Sequence, residues 1–417
     1  MREGWKKVPL AGLCKVFTDG DWIETKNQSS EGIRLVQTGN VGTGEFKDRR
    51  DKARFISEET FDRLKCQEVY EGDCLISRLP DPVGRSCIIP GTDDKMITAV
   101  DCTIVRFDAT KVIPEFFNYY SQSSLYLQDI ESYCTGATRK RISRKNLGNI
   151  AIPVPPLPEQ KRIVAILDEA FAGIEKAIAN TENSLANARE LFESYLDSVF
   201  FVKCPATHRE SLTKLCEPKT ITYGVIKLGQ HIDDGVPCLR TSNVRRLNIE
   251  TEGMKRIAPA LSHQYGRTIL QGGEVLVNIR GTLGGVAVAG ENMKGWNVSR
   301  EVAVVPLDQK RILPSFAAYC IATKASQDWL VGVQKGVAYT GINLTDLREL
   351  PIYLPELNKQ ASIVAQLDEM YSHCCALELL HQQKLTALAE LKQSLLQKAF
   401  SGELTASANN KLKEAAA

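Results

Sequence analysis

The chain has 417 residues, 43% of them hydrophobic and 24% charged, with a formal net charge of +2. This length exceeds one ordinary core and favours two or three globular domains. No apolar stretch approaches the ~20 residues of a membrane helix, and the N-terminal string MREGWKKVPL lacks the apolar segment of a secretory signal. We therefore expect a cytoplasmic protein with no membrane partner.

Catalytic and metal-binding signatures are scarce in the sequence. The twelve cysteines are scattered, and no Cys-x-x-Cys or Cys/His ligand spacing occurs, which favours reduced, buried thiols. The nucleotide loop G-x-x-x-x-G-K-[ST], the zinc motif H-E-x-x-H, the nucleophile motif G-x-S-x-G and the N-P-P-[YF] tetrapeptide of amino-methyltransferases are all missing. A binding protein without a metal or cofactor of its own is predicted.

The first third of the chain contains short β-branched runs bounded by Gly, Asp and Pro. Examples are GIRLVQTGNV (32–41), GDCLISR (72–78) and ITAVDCTIVRF (97–107), and the helical string PEFFNYYSQSSLYLQDI (114–130) follows them. Such runs predict strands, and the helical string makes the unit α+β.

One pattern in this unit resembles a metal-dependent nuclease. Asp81 follows Pro80, and Asp93 and Lys95 come later, as in the PD…(D/E)xK arrangement where two carboxylates hold Mg²⁺ and a lysine orients water. Prolines interrupt the approach, and the second half of the chain has nothing comparable. A nuclease using Asp81, Asp93 and Lys95 is therefore an alternative function only.

A long helix is predicted over residues 158–200, directly after the proline-rich string IPVPPLPEQ (152–160). Apolar residues recur there at 3–4 spacing. QKRIVAILDE (160–169) returns as QASIVAQLDE (360–369), which predicts a second long helix there. The apolar stripe of this second helix comprises Ile363, Leu367, Met370, Cys374, Leu377, Leu385, Leu388, Leu391, Leu395 and Ala399. A helix of ~40 residues is ~60 Å long. We expect the two helices to pair as a coiled coil; the alternative is a separate core helix inside each domain.

The repeat extends beyond the helices. Residues 136–200 match 336–400 at 19 of 65 positions without a gap. Upstream, GIRLVQTGNV resembles GVPCLRTSNV (235–244), and EGDCLISR resembles GGEVLVNIR (272–280). Two pseudo-equivalent modules are therefore predicted rather than a solenoid. Residues 201–350, between the helices, carry 19 basic and 13 acidic side chains, which permits a polyanionic partner.

These segments together resemble the specificity (S) subunit of type I restriction–modification enzymes. The matching strings are GDCLISR followed by Gly84, IRGTLGG (279–285), GATRKRISRKNLGNIAIPVPPLPEQKRIVAILDE (136–169) and LKQSLLQKAFSGEL (391–404). The resemblance implies an α+β fold with a pseudo-two-fold internal repeat, in which two long antiparallel coiled-coil helices separate two globular α/β target-recognition domains. It places these domains at 1–150 and 204–350, the proline-rich segments with spacer helices at 151–203 and 351–404, and a tail at 405–417.

The resemblance also implies the partners. Each target-recognition domain would read one half of a bipartite site in double-stranded DNA, and the helices would set the spacing of the half-sites. Two modification subunits would methylate adenine with S-adenosylmethionine, and restriction/translocase subunits would use ATP and Mg²⁺. The chain itself would be non-catalytic. A stand-alone bivalent DNA-binding adaptor is the other alternative. The duplicated helices favour the specificity subunit or the adaptor over the nuclease, because catalysis does not need a spacer of fixed length.

Candidate DNA-binding residues are donors and acceptors on predicted loops, since Arg, Lys, Asn and Thr can reach bases or phosphates. The first unit offers Thr38, Asn40 and Arg78, and a run of five basic residues: Arg139, Lys140, Arg141, Arg144 and Lys145. The second unit offers Thr241, Asn243, Arg245, Arg246, Arg280, Tyr339 and Thr340. The basic run has no counterpart in the second unit.

Overall fold

The structure is a computed structural model that describes residues 4–136, 138–203, 208–216, 218–334 and 341–405. It divides into two compact units. Unit 1 comprises Met1–Thr181 and Gln383–Ala417, and unit 2 comprises Glu182–Gln382. Both dividing points fall inside long helices, so each unit contains half of each helix.

Within its described residues, unit 1 holds three small sheets and four short α-helices. Its strands are β1 (Lys6–Pro9), β2 (Cys14–Asp19), β3 (Ile33–Val36), β4 (Arg54–Ile56), β5 (Glu68–Val69), β6 (Cys74–Ser77), β7 (Ser86–Ile88), β8 (Met96–Thr98), β9 (Cys102–Phe107) and β10 (Ala151–Val154). Its short helices are α1 (Glu58–Leu64), α2 (Pro114–Tyr120), α3 (Ser124–Ser132) and α4 (Arg144–Asn149). The sheet orders are β2-β9-β6-β7, β4-β3-β8-β5 and β1-β10.

The long helix α5 (Leu157–Lys203) follows β10 and has 47 residues. Unit 2 then repeats the plan of unit 1. Its strands are β11 (Arg209–Ser211), β12 (Thr222–Tyr223), β13 (Val236–Leu239), β14 (Lys255–Ile257), β15 (Val275–Asn278), β16 (Val286–Val288), β17 (Asn297–Val298), β18 (Val302–Val305) and β19 (Pro351–Tyr353). Its short helices are α6 (Pro259–Gln264), α7 (Pro314–Ala322), α8 (Lys324–Gly332) and α9 (Leu344–Arg348). The sheet orders are β12-β18-β15-β16, β14-β13-β17 and β11-β19. The last helix, α10 (Leu357–Ser401), has 45 residues.

The predicted long helices are present, and the halves within each unit run antiparallel. In unit 2, Phe192 stacks on Tyr371 with ring centroids 5.1 Å apart, whereas the earlier residue Arg189 pairs with the later Glu378 at 3.4 Å. In unit 1, the Lys392 ammonium lies 4.6 Å from the Phe171 ring centroid, and Thr405 bonds to Glu159. The helices therefore pack on each other, as a coiled coil requires.

The prediction of a buried apolar stripe on α10 was wrong at two positions. Leu377 and Leu391 are 41% and 47% exposed. The neighbouring residues Glu378 and Lys392 contact α5 instead, Glu378 through its ion pair with Arg189 and Lys392 through its ammonium over the Phe171 ring. A long charged side chain can face a partner helix where its charge meets an opposite charge or an aromatic face.

The strongest evidence of the repeat is a pair of buried glutamines, each at the start of a long helix. Gln160 is fully buried, its Oε1 accepts from Ile113 N at 3.0 Å, and its Nε2 donates to the carbonyls of Lys111 and Pro155. Gln360 makes the same three bonds at positions 200 higher, to Leu313, Arg311 and Pro355. Each glutamine thus connects its proline-rich segment to the start of a short helix in its own unit, α2 for Gln160 and α7 for Gln360.

Candidate nucleic-acid interface

A cluster of arginines and aspartates forms at one end of the sheet β2-β9-β6-β7. The register pairs Asp19 at the end of β2 with Thr103, and Ser77 at the end of β6 with Cys102. The residues immediately beyond these strands therefore meet, which brings Asp19, Asp101 and Arg78 together.

Arg78 lies inside this cluster rather than on a projecting loop. Its side chain is 5% exposed, Nη2 donates to Val100 O at 2.6 Å, and Nε lies 3.3 Å from Asp19 Oδ1. Burial lowers the pKa of the guanidinium from its ordinary value. As placed, Arg78 braces the end of the sheet and does not present its donors to solvent.

The basic run surrounds the same cluster, and three of its members have acidic partners. Arg141 pairs with Asp101 at 3.1 Å, Arg144 lies 3.9 Å from Asp19, and Lys140 pairs with Glu131. Pairing ties these side chains to the unit but leaves Arg141 and Arg144 about half exposed, at 49% and 47%.

Arg139 and Lys145 differ from the rest of the run. Both are exposed, and neither has a side-chain partner within the described part of the chain. A lysine or arginine whose charge is not compensated is free to meet a phosphate.

The two Thr-x-Asn turns have the same construction in both units. The Asn40 Oδ1 accepts from Gln37 N at 2.9 Å, and its Nδ2 donates to Lys47 O at 2.9 Å. The Asn243 Oδ1 accepts from Arg240 N at 3.0 Å, and its Nδ2 donates to Glu250 O at 3.0 Å. Both amides therefore hold their turns closed from within, while Thr38 and Thr241 lie half-buried beside them.

The remaining candidates of unit 2 are dispersed. Arg245 is exposed and pairs with Glu250 at 3.0 Å, whereas Arg246 is tied to Glu193 of α5 and to Ala322 O. Arg280 is exposed and forms an isolated antiparallel bridge to Gly341. Tyr339 and Thr340 lie outside the described residues.

Sequence reasoning missed a second basic stretch in unit 1, FKDRRDKAR at 46–54, with five basic residues in nine positions. The signal was available, because its density resembles that of the run at 139–145. Within it, Arg50 pairs with Asp48 at 3.0 Å and with Asp94 at 2.9 Å, and Arg34 pairs with the same two aspartates. The hydrogen bond from Arg34 lowers the pKa of Asp48. Arg49 is exposed at the surface of this stretch.

The nuclease alternative finds no support. The Lys95 ammonium bonds to Glu58 at 2.8 Å and lies 4.1 Å from the Phe61 ring centroid, so its contacts are with Glu58 and Phe61. Within the described ranges, no group of three His, Cys, Asp or Glu side chains could hold a metal ion.

A family model described as the type I restriction modification DNA specificity domain matches residues 2–182 and again residues 233–387. The chain belongs to this family. The two matches cover the two halves of the repeat, and they identify the chain as a specificity subunit that recognises a DNA target. In the described part of the specificity subunit, no helix is both long and apolar enough to cross a bilayer.

Relatives carry the same description. The chain is 25% identical over 426 residues to the type I restriction enzyme EcoKI specificity subunit of Escherichia coli K12, covering 97% of this chain and 90% of the relative. It is 26% identical over 311 residues to the EcoBI specificity subunit of Escherichia coli, covering 69% of this chain and 65% of the relative.

Solved structures show the same fold. A chain from a study of complex assembly and conformational transition of the type I R-M system superposes with a TM-score of 0.75 at 19% identity, covering 97% of this chain and 99% of that chain. The HsdS subunit of Thermoanaerobacter tengcongensis superposes with a TM-score of 0.55 at 20% identity, covering 97% and 98%.

Proposed function

We propose that this specificity subunit reads a bipartite site in double-stranded DNA, with one target-recognition domain for each half-site. The observation that carries the proposal is the repeated construction. Residues 1–150 and 204–350 contain equivalent sheets and equivalent Thr-x-Asn turns. The long helix that follows each range begins with an equivalent glutamine anchor, at Gln160 and Gln360. Two equivalent readers in one chain match two half-sites, as the two chains of a dimer do.

The helices supply the spacing between the half-sites in this proposal. Residues 151–203 and 351–404 form the proline-rich segments and spacer helices, and the predicted tail, 405–417, lies outside the described residues except for Thr405. A 47-residue helix is about 70 Å long at 1.5 Å per residue, which exceeds the need of either domain core.

Within each domain, we assign the DNA contact to the exposed basic side chains. In unit 1 these are Arg139 and Lys145, with Arg141 and Arg144 beside them, and in unit 2 they are Arg245 and Arg280. Exposure supports the choice of all six residues, and an uncompensated charge further supports Arg139 and Lys145. Asn40, Asn243, Arg78 and Arg246 serve the contact indirectly by shaping the loops, because their side chains bond to groups inside the protein.

The catalytic steps belong to partner subunits in this proposal. Two modification subunits bound to the chain would methylate adenine with S-adenosylmethionine, and restriction/translocase subunits would supply ATP- and Mg²⁺-dependent cleavage. The family model describes a DNA specificity domain, which supports a recognition role without chemistry.

The deciding experiment is methylome sequencing of cells that express the chain with its modification partner. A bipartite methylated motif is expected, whereas a single undivided motif would refute the two-reader proposal. DNA binding without any methylation alongside that partner would instead fit the stand-alone bivalent adaptor.

A variant with two lengthened spacer helices tests the spacing of the half-sites separately. One heptad is inserted after Thr181 and another after Gln382, where the two compact units divide. Seven residues add about 10 Å of helix, so the preferred spacer should lengthen by about three base pairs. The half-site sequences should not change. An altered half-site would contradict the proposal that the helices set only the spacing.

A further inference from the structure

Arg85 is a buried arginine of unit 1 whose guanidinium bonds to two loops at once. The residue is 7% exposed. Its Nη2 and Nε donate to the carbonyls of Thr38 (2.8 Å) and Val41 (2.7 Å), at the two ends of the Thr-x-Asn turn 38–41, the recognition turn of unit 1. Its Nη1 donates to the carbonyls of Leu79 (2.8 Å) and Pro82 (3.0 Å), in the loop after β6. One side chain therefore joins the recognition turn to the loop beside it.

Unit 2 makes the same connection with a different residue. Asn278 is 1% exposed, and its Nδ2 faces three carbonyl oxygens. Two belong to Thr241 (3.3 Å) and Val244 (3.0 Å), the counterparts of Thr38 and Val41 in the second recognition turn, and the third belongs to Thr282 (3.1 Å) in the loop after β15.

The donating side chain comes from a different position in each unit. In unit 1 it precedes β7, and in unit 2 it is the last residue of β15. Ser77 and Asn278 are the last residues of β6 and β15, and Arg85 and Gly285 immediately precede β7 and β16. The same backbone bond joins each pair, from Ser77 N to Arg85 O (2.9 Å) and from Asn278 N to Gly285 O (2.8 Å). A Cβ at Gly285 would overlap the Asn278 amide nitrogen, so the Asn solution requires glycine there.

We propose that Arg85 and Asn278 are positioning residues for base recognition, each setting the height of its own recognition turn against the neighbouring loop. The inference rests on the proposed function. Two unrelated side chains satisfy the same carbonyls in the two units, so the connection between the loops is what the two units share. Because each residue touches only the loops of its own unit, each controls one half-site.

The test uses the chain reconstituted with its modification partner and three duplexes. One carries the full target found by methylome sequencing, and the other two have one half-site scrambled. The ratio of Kd between a scrambled duplex and the full target measures discrimination at that half-site. The variants are Arg85→Gly, the milder Arg85→Gln, the double variant Ser77→Asn/Arg85→Gly, and Asn278→Ala.

We expect Arg85→Gly to lower discrimination at one half-site by about tenfold, comparable with losing one good base contact, and to leave the other half-site unchanged. Arg85→Gln should show a smaller loss at the same half-site. The double variant, which transplants the unit 2 solution into unit 1, should recover discrimination. Asn278→Ala should act on the opposite half-site only.

Arg106→Ala is the matched control. Arg106 forms a two-point ion pair with Asp73 in unit 1, at 2.8 and 2.7 Å, and touches neither loop, so its loss should lower the melting temperature without changing either ratio. Equal losses at both half-sites, or unchanged ratios in Arg85→Gly and Asn278→Ala, would overturn the inference. Failure of the proposed function is distinguishable, because the wild-type chain would then show no bipartite target from which to define the ratios.

Discussion

Replacing Gln160 by alanine should destabilise unit 1 by about 3 kcal/mol. The fully buried side chain makes three hydrogen bonds to backbone groups, at 3.0, 2.9 and 2.8 Å. Each bond contributes about 1 kcal/mol net, and an unpaired buried carbonyl or N–H costs at least as much. The Ile113 N–H lies at the N-cap of α2, so the start of that helix would lose its anchor.

Gln160→Glu separates the hydrogen bonds from the volume of the side chain. Glutamate fills the same space but offers no N–H to the carbonyls of Lys111 and Pro155 when it is ionised. We therefore expect Gln160→Glu to be at least as destabilising as Gln160→Ala at neutral pH. If packing volume alone mattered, Gln160→Glu would instead resemble the wild type.

The assay is urea unfolding monitored by hydrogen-exchange mass spectrometry, which reports on each unit separately. This is needed because a chain with two units need not unfold in one step. Peptides of unit 1 should lose protection in Gln160→Ala, and peptides of unit 2 in Gln360→Ala. Gln397, exposed on the unit 1 half of α10, provides the control Gln397→Ala. A Gln160→Ala variant within about 0.5 kcal/mol of that control would refute the reasoning.

Three further predictions concern helix capping, DNA affinity and thiol chemistry. Lys65→Gly should raise the stability of unit 1 by about 1 kcal/mol in urea titrations, because Lys65 ends α1 with a left-handed φ of 53° that glycine adopts without strain. Arg139→Glu and Lys145→Glu should each weaken DNA binding and lower the slope of log Kd against log salt by about 1 or more, since each removes a proposed phosphate contact. In alkylation at pH 8, the exposed Cys375 should react quickly, whereas Cys87, whose pKa burial raises to about 12, should react only after unfolding.

Each of these predictions has its own control. Lys65→Ala should bring no gain, because alanine carries the same Cβ as lysine. Lys398→Glu, an exposed charge reversal on α10, should leave the salt slope unchanged; an equal change there would mean that only net charge matters. Peptide mapping assigns each alkylated thiol, and early labelling of Cys87 in the folded chain would contradict the burial argument.

The sequence predicted the long helices and the repeat because both are written in local pattern. A 3–4 apolar spacing without breakers can only be buried as a helix, and α5 and α10 occupy the predicted segments. The repeated string also predicted equivalent positions for Gln160 and Gln360, although not their bonds. Along α10, the pattern assigned Leu377 and Leu391 to the core, because hydrophobicity alone does not reveal that Glu378 pairs with Arg189 and that Lys392 lies over the Phe171 ring.

The recognition surface was harder to predict from the sequence. Residue type marked Arg78 and Asn243 as candidates, yet the first is buried at a sheet end and the second closes its own turn. Strand register decides this, since it determines which chain segments meet beyond the ends of the strands. Arg85 had no sequence signal, because its partners are carbonyl oxygens, which every residue carries.

The sequence by itself therefore determined the helices, the duplication and the family, all of which depend on periodicity and on strings that recur along the chain. Only the tertiary structure decided which polar side chains face solvent and which satisfy buried backbone groups. The exchange between Arg85 and Asn278 illustrates the difference. Two positions that do not align perform the same task, because what the fold requires is a donor at one point in space, whichever residue supplies it.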